Sequence, residues 1–358
     1  MSAKNDVLQV VSGWDAVELV LKCLFLGMWQ ILKILVKNLW KGHRRKLSKN
    51  FPPVEMSVDA SVGTHCHIKI MGVKYHYVET GPKSGQMILI LCDAPETTDL
   101  WAPNWSSMVQ TLTDHGYHII TLDLRGTGGS EGGSRRELSP PRAVEELSNL
   151  MEALGASPKK PAIVIGFGIG GMLTWYLAHC YGPMVSKFAV IEAPHPNLYW
   201  EFPPAKFCRE ALHFIQWPYF PEQWLAEGEL CEGENGRWLN SRARDWRGPL
   251  NYIRGAAWWR ISSEARVDAA ALLIGEQHSA AMLVRSAAHC TRPALRLLPH
   301  LHPALPGLLL EFLIEKDTIK SNPEEVPKSL MGRVLGAVAE RARLVLPPHA
   351  VHLSAVTS

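Results

Sequence analysis

The sequence predicts an α/β fold: a mostly parallel sheet flanked by helices, with a membrane-associated helix at the N-terminus. Three observations carry this. Apolar runs at 87–92, 117–123, 162–166 and 188–192 have the length of buried strands. The run ending at Gly166 enters a glycine-rich turn, Gly166-Phe-Gly168-Ile-Gly170-Gly171, and then the helical stretch Met172–Cys180. An apolar stretch at 17–36 stands apart from the rest, before any strand signal.

The leader comes first. Residues 17–36 have about the length of a bilayer span, interrupted by Glu18, Lys22, Gln30 and Lys33. Asp15, Glu18, Lys22, Gln30, Lys33, Lys37 and Lys41 share one helical face. Trp14, Trp29 and Trp40 suit the headgroup level. Membrane contact is therefore expected through residues 14–41, with the helix spanning, lying in the interface, or docked on the protein's own core. No small-residue cleavage site follows, so a removed signal peptide is not expected. Lys37, Lys41, Arg44, Arg45, Lys46 and Lys49 form a basic flank, which favours a cytosolic domain.

Phe51-Pro52-Pro53 closes the leader, and Gly72–Glu79 begins the sheet. The strand at 87–92 ends in Cys92-Asp93-Ala-Pro-Glu96. The strand at 117–123 runs into Asp123-Leu-Arg125-Gly-Thr-Gly128-Gly-Ser130. The strand at 188–192 runs into Glu192-Ala-Pro-His195-Pro196. Residues 256–306 are rich in Ala, Leu, Arg, His and Pro and show no clear strand pattern. They read as a cap insertion, a poorly ordered segment or an artefact of the gene model.

Length and composition narrow the function classes. The 358 residues suffice for one large α/β domain with a cap, and a net charge of +3 implies no nucleic-acid partner. Seven cysteines without a C-x-x-C pair suggest reduced thiols and a cytosolic face. His65-Cys66-His67 reads as ordinary strand residues, and His300 and His302 likewise, so no metal is expected.

The glycine turn admits two readings. Gly166, Gly168 and Gly171 spell G-x-G-x-x-G between strand and helix, with Glu192 about 20 residues on, as in a dinucleotide-binding unit. The same turn has small residues two before and two after its centre, as in a nucleophile elbow. Two strand units precede it, whereas a dinucleotide fingerprint usually opens its domain. The flanks therefore favour the elbow, with Gly168 at its centre.

Together these pieces resemble the epoxide hydrolase branch of the α/β-hydrolase family. That branch shows H-G-F-P-E, D-x-R-G-x-G-x-S, G-H-D-W-G-G and P-H-P after successive strands. The resemblance continues at Phe214-Ile-Gln216-Trp-Pro218-Tyr-Phe-Pro221-Glu222, at Gly248-Pro-Leu-Asn-Tyr-Ile-Arg254 and at Glu315-Lys316-Asp317, and covers roughly residues 70 to 355. It implies a carboxylate nucleophile at the elbow, a histidine base, an orienting acid and two cap tyrosines that donate to the epoxide oxygen.

Carried over position by position, the chemistry is depleted. The nucleophile position is Gly168, flanked by Phe167 and Ile169 where the family has histidine and tryptophan. Cys92 and Asp93 replace the His and Gly of H-G-F-P. Ala211 and Ile253 stand where the cap tyrosines should be. Asp317 matches the orienting acid and His352 the base.

The resemblance thus implies an anchor over 1–50, a first core part over 51–200, a cap with an unusual insertion over 201–306, and a last core part over 307–358. The expected protein is an epoxide-hydrolase-like homologue, related to enzymes that hydrolyse lipid epoxides to diols, that is inactive because Gly168 offers no nucleophile. The alternative is an active hydrolase with a displaced nucleophile, Cys92 or Asp93. No cofactor is implied. An apolar or lipid-like small molecule is the expected ligand, and an endoplasmic reticulum membrane, with the hydrolase domain cytosolic, the expected location.

Overall fold

The computed structural model describes residues 7–41, 63–93, 102–203, 211–226, 243–299 and 304–315. The chain divides into two units, 1–313 and 314–358, and only Ile314 and Glu315 of the second are described.

The first unit is built on an eight-stranded sheet. Its strands are β2 (Thr64–Ile70), β3 (Val73–Thr80), β4 (Met87–Leu91), β5 (His118–Leu122), β6 (Ala162–Phe167), β7 (Val185–Ile191), β9 (Ala270–Glu276) and β10 (Pro293–Leu298), in the order β10-β9-β7-β6-β4-β5-β3-β2. From β10 to β5 every pairing is parallel, and β3 alone runs against its neighbours. The order reverses around β4, which places the loops after β4, β5 and β6 next to one another. Ligand sites of open parallel sheets lie at such a switch.

Strand periodicity explains why the central runs are apolar throughout. Leu89, Leu91, Ile120, Val164 and Val190 face one side; Ile88, Ile90, Ile119, Ile163, Ile165 and Ile191 face the other. The first side is covered by α3 (Pro140–Ala153), α4 (Gly168–Cys180) and α7 (Arg247–Ala256). The second is covered by α2 (Ala102–Asp114) and α9 (Leu305–Ile314). The cap contributes two short helices, α5 (Leu212–Ile215) and α6 (Phe220–Ala226).

One expectation needs correction. Residues 256–306 are not a patternless insertion. They hold β8 (Trp259–Ile261), β9, α8 (Ala280–Ala287) and β10, and β9 lies inside the sheet between β7 and β10. The sequence hid this because Ala270-Ala-Leu-Leu-Ile carries little β-branching. Pairing on both sides decides its conformation, overriding weak local propensity. Pro293 opens β10, at the sheet edge, where a missing N–H costs least.

For the leader, the structure bears on the three placements left open by the sequence. Helix α1 (Gly13–Lys41) docks on the cap along one stripe and leaves its other faces open. Leu19 is buried, Gly27 abuts the Trp217 indole, Trp217 Nε1 donates to Cys23 O at 3.0 Å, and Phe214 N–H donates to Gln30 Oε1 at 3.1 Å. Gln30, which shares a helical face with the charged residues of the leader, is a docking residue. Ahead of the helix, β1 (Leu8–Val10) pairs antiparallel with β8.

Candidate functional site

The site grows from the C-terminal ends of β4 and β6, which pair in parallel through Leu91 opposite Gly166. Phe167 ends β6 in extended conformation, and the chain turns at Gly168, whose φ of +49° favours glycine. Gly170, in the first turn of the helix, lies directly against Leu91 O, and no side chain fits between them. The turn is thus the strand–elbow–helix unit that the sequence implied.

The space in front of Gly168 is occupied. A Cβ on Gly168 would collide with the carboxylate of Asp93, which reaches across from the end of β4. Ile169 N–H donates to Asp93 Oδ1 at 2.9 Å. The carboxylate therefore sits at the N-terminus of the 13-residue helix α4, where orphan N–H groups and the helix dipole favour an anion. In a nucleophile elbow, the N–H that follows the nucleophile is an oxyanion donor. Here that donor is already engaged.

The other sequence-derived positions separate by sheet face. Ile169, Ala211 and Ile253 are buried in the cluster on the cap side. Cys92 and Phe167 are buried in the opposite cluster, against Ile90, Met108 and Ile165. Of the two displaced-nucleophile candidates, only Asp93 comes to the elbow. Asp317 and His352 lie outside the described residues.

The neighbouring loop after β5 carries a buried polar network, in which Asp123 Oδ1 is left without a hydrogen-bond partner. Asp123 Oδ2 accepts from His76 Nδ1 at 2.7 Å and from Gly129 N–H at 2.9 Å, with both side chains buried. Arg125 donates to Glu146 at 3.0 and 3.2 Å and to Glu137 at 3.0 Å; Tyr75 adds a 2.6 Å bond to Glu146. Arg125 and its own hydrogen bonds hold the Glu137 carboxyl down at about 2, Ser134 contributing most. Glu192 is likewise structural: it accepts from Glu276 N–H at 2.5 Å and Ser279 Oγ at 2.9 Å. That engagement removes it as the acid of a dinucleotide-binding unit.

Sequence reasoning missed a histidine cluster behind the elbow helix. Asn197 N–H donates to His195 Nδ1 at 3.2 Å, so the His195 proton resides on Nε2, which faces His179 Nε2 at 3.1 Å. His195 stacks on His289 with ring centroids 3.6 Å apart. Burial, then His289, push His179 down to about 4, and burial with both neighbours pushes His195 well below the usual histidine range. Residues 179, 195 and 289 come from a helix and two loops, so no spacing signal could have joined them. Among the described residues no group of His, Cys, Asp or Glu is arranged to hold a metal.

Comparison with known proteins agrees with the geometry. The profile of the alpha/beta hydrolase family matches residues 97–355. Human epoxide hydrolase 4 is 33% identical over 201 residues, covering 52% of this chain and 53% of that protein. Epoxide hydrolase 3 of Xenopus tropicalis is 31% identical over 169 residues, covering 45% and 43%. The chain spans about half the length of the curated relatives it matches. The crystal structure of an epoxide hydrolase from Vigna radiata superposes with a TM-score of 0.53 at 18% identity, over 70% of this chain and 97% of that one.

Proposed function

The chain belongs to the α/β hydrolase family, and we propose that it is an epoxide-hydrolase-like member that no longer opens epoxides by the covalent route. One observation carries this reading: the elbow residue is Gly168, and the space for its side chain holds Asp93. Covalent catalysis fails without its nucleophile, because removing one member of such a unit costs nearly as much as removing all. Ala211 and Ile253, in place of the two cap tyrosines, leave no hydroxyl to stabilise an opening epoxide, and each lost donor of that kind costs about 3 kcal/mol of transition-state energy. Asp317 and His352 remain in the sequence as orienting acid and base. The retained role is binding of an apolar, lipid-like molecule.

A second reading has its own support. The family has a glycine at the end of the third strand and a carboxylate at the elbow; this chain has Asp93 and Gly168, the two exchanged. Asp93 is held by Ile169 N–H, as an elbow nucleophile's spare oxygen would be. It would attack an epoxide carbon and break the C–O bond, forming a hydroxy-ester as the ring oxygen takes a proton from water; a second water, deprotonated by His352, would then cleave the ester, releasing the diol and restoring the Asp93 carboxylate.

Incubation with styrene oxide and a fatty-acid epoxide separates the two. No diol and no ester adduct on the Asp93 peptide are expected. Diol formation abolished by Asp93→Asn and by His352→Ala would replace the first reading with the second.

The leader supports a membrane location. Gly13–Lys37 is the one described helix long and apolar enough to cross a bilayer, and 11% of its most apolar window is buried. The middle of that helix carries the cap contacts at Cys23, Gly27 and Gln30. A spanning helix would draw the cap into hydrocarbon, so we place it in the interface. Phe25, Trp29 and Leu32, all more than half exposed, then enter the bilayer, and the basic flank keeps the hydrolase domain on the cytosolic face of the endoplasmic reticulum. Release by carbonate is the expected behaviour; resistance would mean a spanning helix.

A further inference from the structure

A second cavity, away from the elbow, lies where α1 meets the cap. It is a groove of about 340 Å³, within the size range of small-molecule sites. Its walls are Leu19, Val20 and Leu24 of the helix on one side, and Trp217 and Trp258 on the other. Its one charged lining residue is Arg135.

Arg135 is not neutralised. Its guanidinium donates to Arg254 O at 3.0 Å and lies over the Trp258 ring at 5.7 Å. Among the described residues it meets no carboxylate. The nearby Arg254 already has the local acid, Glu222, through bonds of 2.6 and 3.1 Å. Of these two guanidinium groups only Arg254 is paired with a carboxylate among the described residues, and the Arg135 charge faces an apolar groove. Burial, then the Arg254 cation, push Arg135 below the usual guanidinium range, and burial pushes the Cys23 thiol up to about 11. Both directions fit a poorly hydrated wall. A lone cation on an apolar surface is an expensive arrangement unless an anion completes it.

We propose that this groove binds a long-chain fatty acid, its carboxylate on Arg135 and its tail between α1 and the two tryptophans. The planar fork of one guanidinium matches one carboxylate in bidentate fashion. The tail has somewhere to go: Val20 and Leu24 are 48% and 44% exposed, so the groove wall continues into the open apolar face of the helix. The site is independent of the elbow chemistry and stands whether or not Asp93 reacts.

The test is equilibrium binding of radiolabelled oleate to the full chain in phosphatidylcholine nanodiscs, with protein-free discs as blank and methyl oleate as the uncharged comparison. Saturable binding of one oleate per chain is expected, with methyl oleate at least about tenfold weaker. Arg135→Gln should weaken oleate by at least about tenfold and leave methyl oleate unchanged, while Arg135→Lys recovers part of the loss. Val20→Trp, which fills the groove but keeps the cation, should abolish binding, and so decides the matter if Arg135→Gln does not fold. Equal affinity for acid and ester, or an unaltered Arg135→Gln, overturns the proposal. So does competitive displacement of oleate by discs containing phosphatidylserine, which would assign the cation to a bilayer headgroup.

Discussion

The loops after β5 and β6 flank β4 on either side, yet they have fared in opposite ways. The β5 loop pairs its charged groups: Asp123, through Oδ2, with His76 and Gly129, and Arg125 with Glu146 and Glu137. The β6 turn has the strand–turn–helix backbone, and its central residue carries no side chain. Gly168 has the left-handed φ and Gly170 the close approach to Leu91, and a carboxylate from another strand occupies the space in front of Gly168. Groups that hold the fold cannot be lost singly, because each leaves a buried partner unsatisfied. Groups that act only on a substrate leave no such debt in the free protein.

The sharpest break of this comparison is Asp123→Ala. It strands His76 and the Gly129 N–H in a buried site and should destabilise by about 3–5 kcal/mol in urea or thermal unfolding. A loss under about 1 kcal/mol would mean the β5 network is as dispensable as the elbow's side chains.

Next in size is acid sensitivity from the histidine cluster, a retained polar group without countercharge. The folded chain holds His179 near 4, below its unfolded value near 6.5, so the unfolded state binds the proton first. Stability is complete above about pH 6.5 and should fall as pH drops toward 4, by about 3 kcal/mol from His179 alone. His179→Leu should flatten that slope in pH-dependent urea unfolding. An unchanged slope would remove the cluster as its source.

The smallest effects belong to the elbow. Gly168→Ala should cost about 1–3 kcal/mol, through the left-handed backbone and the collision with Asp93. Asp93→Gly alone should cost less than about 1 kcal/mol. In the Asp93→Gly background the alanine should be milder, and the thermodynamic cycle should show coupling of about 1 kcal/mol. Strict additivity would mean that Asp93 does not fill the elbow.

The strands, the strand–turn–helix unit and the glycine at its centre were legible because each is written locally: apolar runs of strand length, glycines at fixed offsets, one letter at the turn's centre. β9 was not legible, since Ala270–Ile274 becomes a strand only through its neighbours β7 and β10. The leader's apolarity was evident, but its docking stripe depends on Trp217 and Phe214, nearly 200 residues away.

The sequence by itself determined the sheet's central strands, the family resemblance and the absence of a side chain at Gly168, because period, length and residue identity act within a few positions. Only the tertiary structure decided that Asp93 faces Gly168 while Cys92 is buried on the far side of the sheet. It alone decided that His179, His195 and His289 meet, and that Arg135 lies against α1 without a carboxylate. Those meetings join segments far apart in the chain, and their physical cause is packing across elements, which no local pattern encodes.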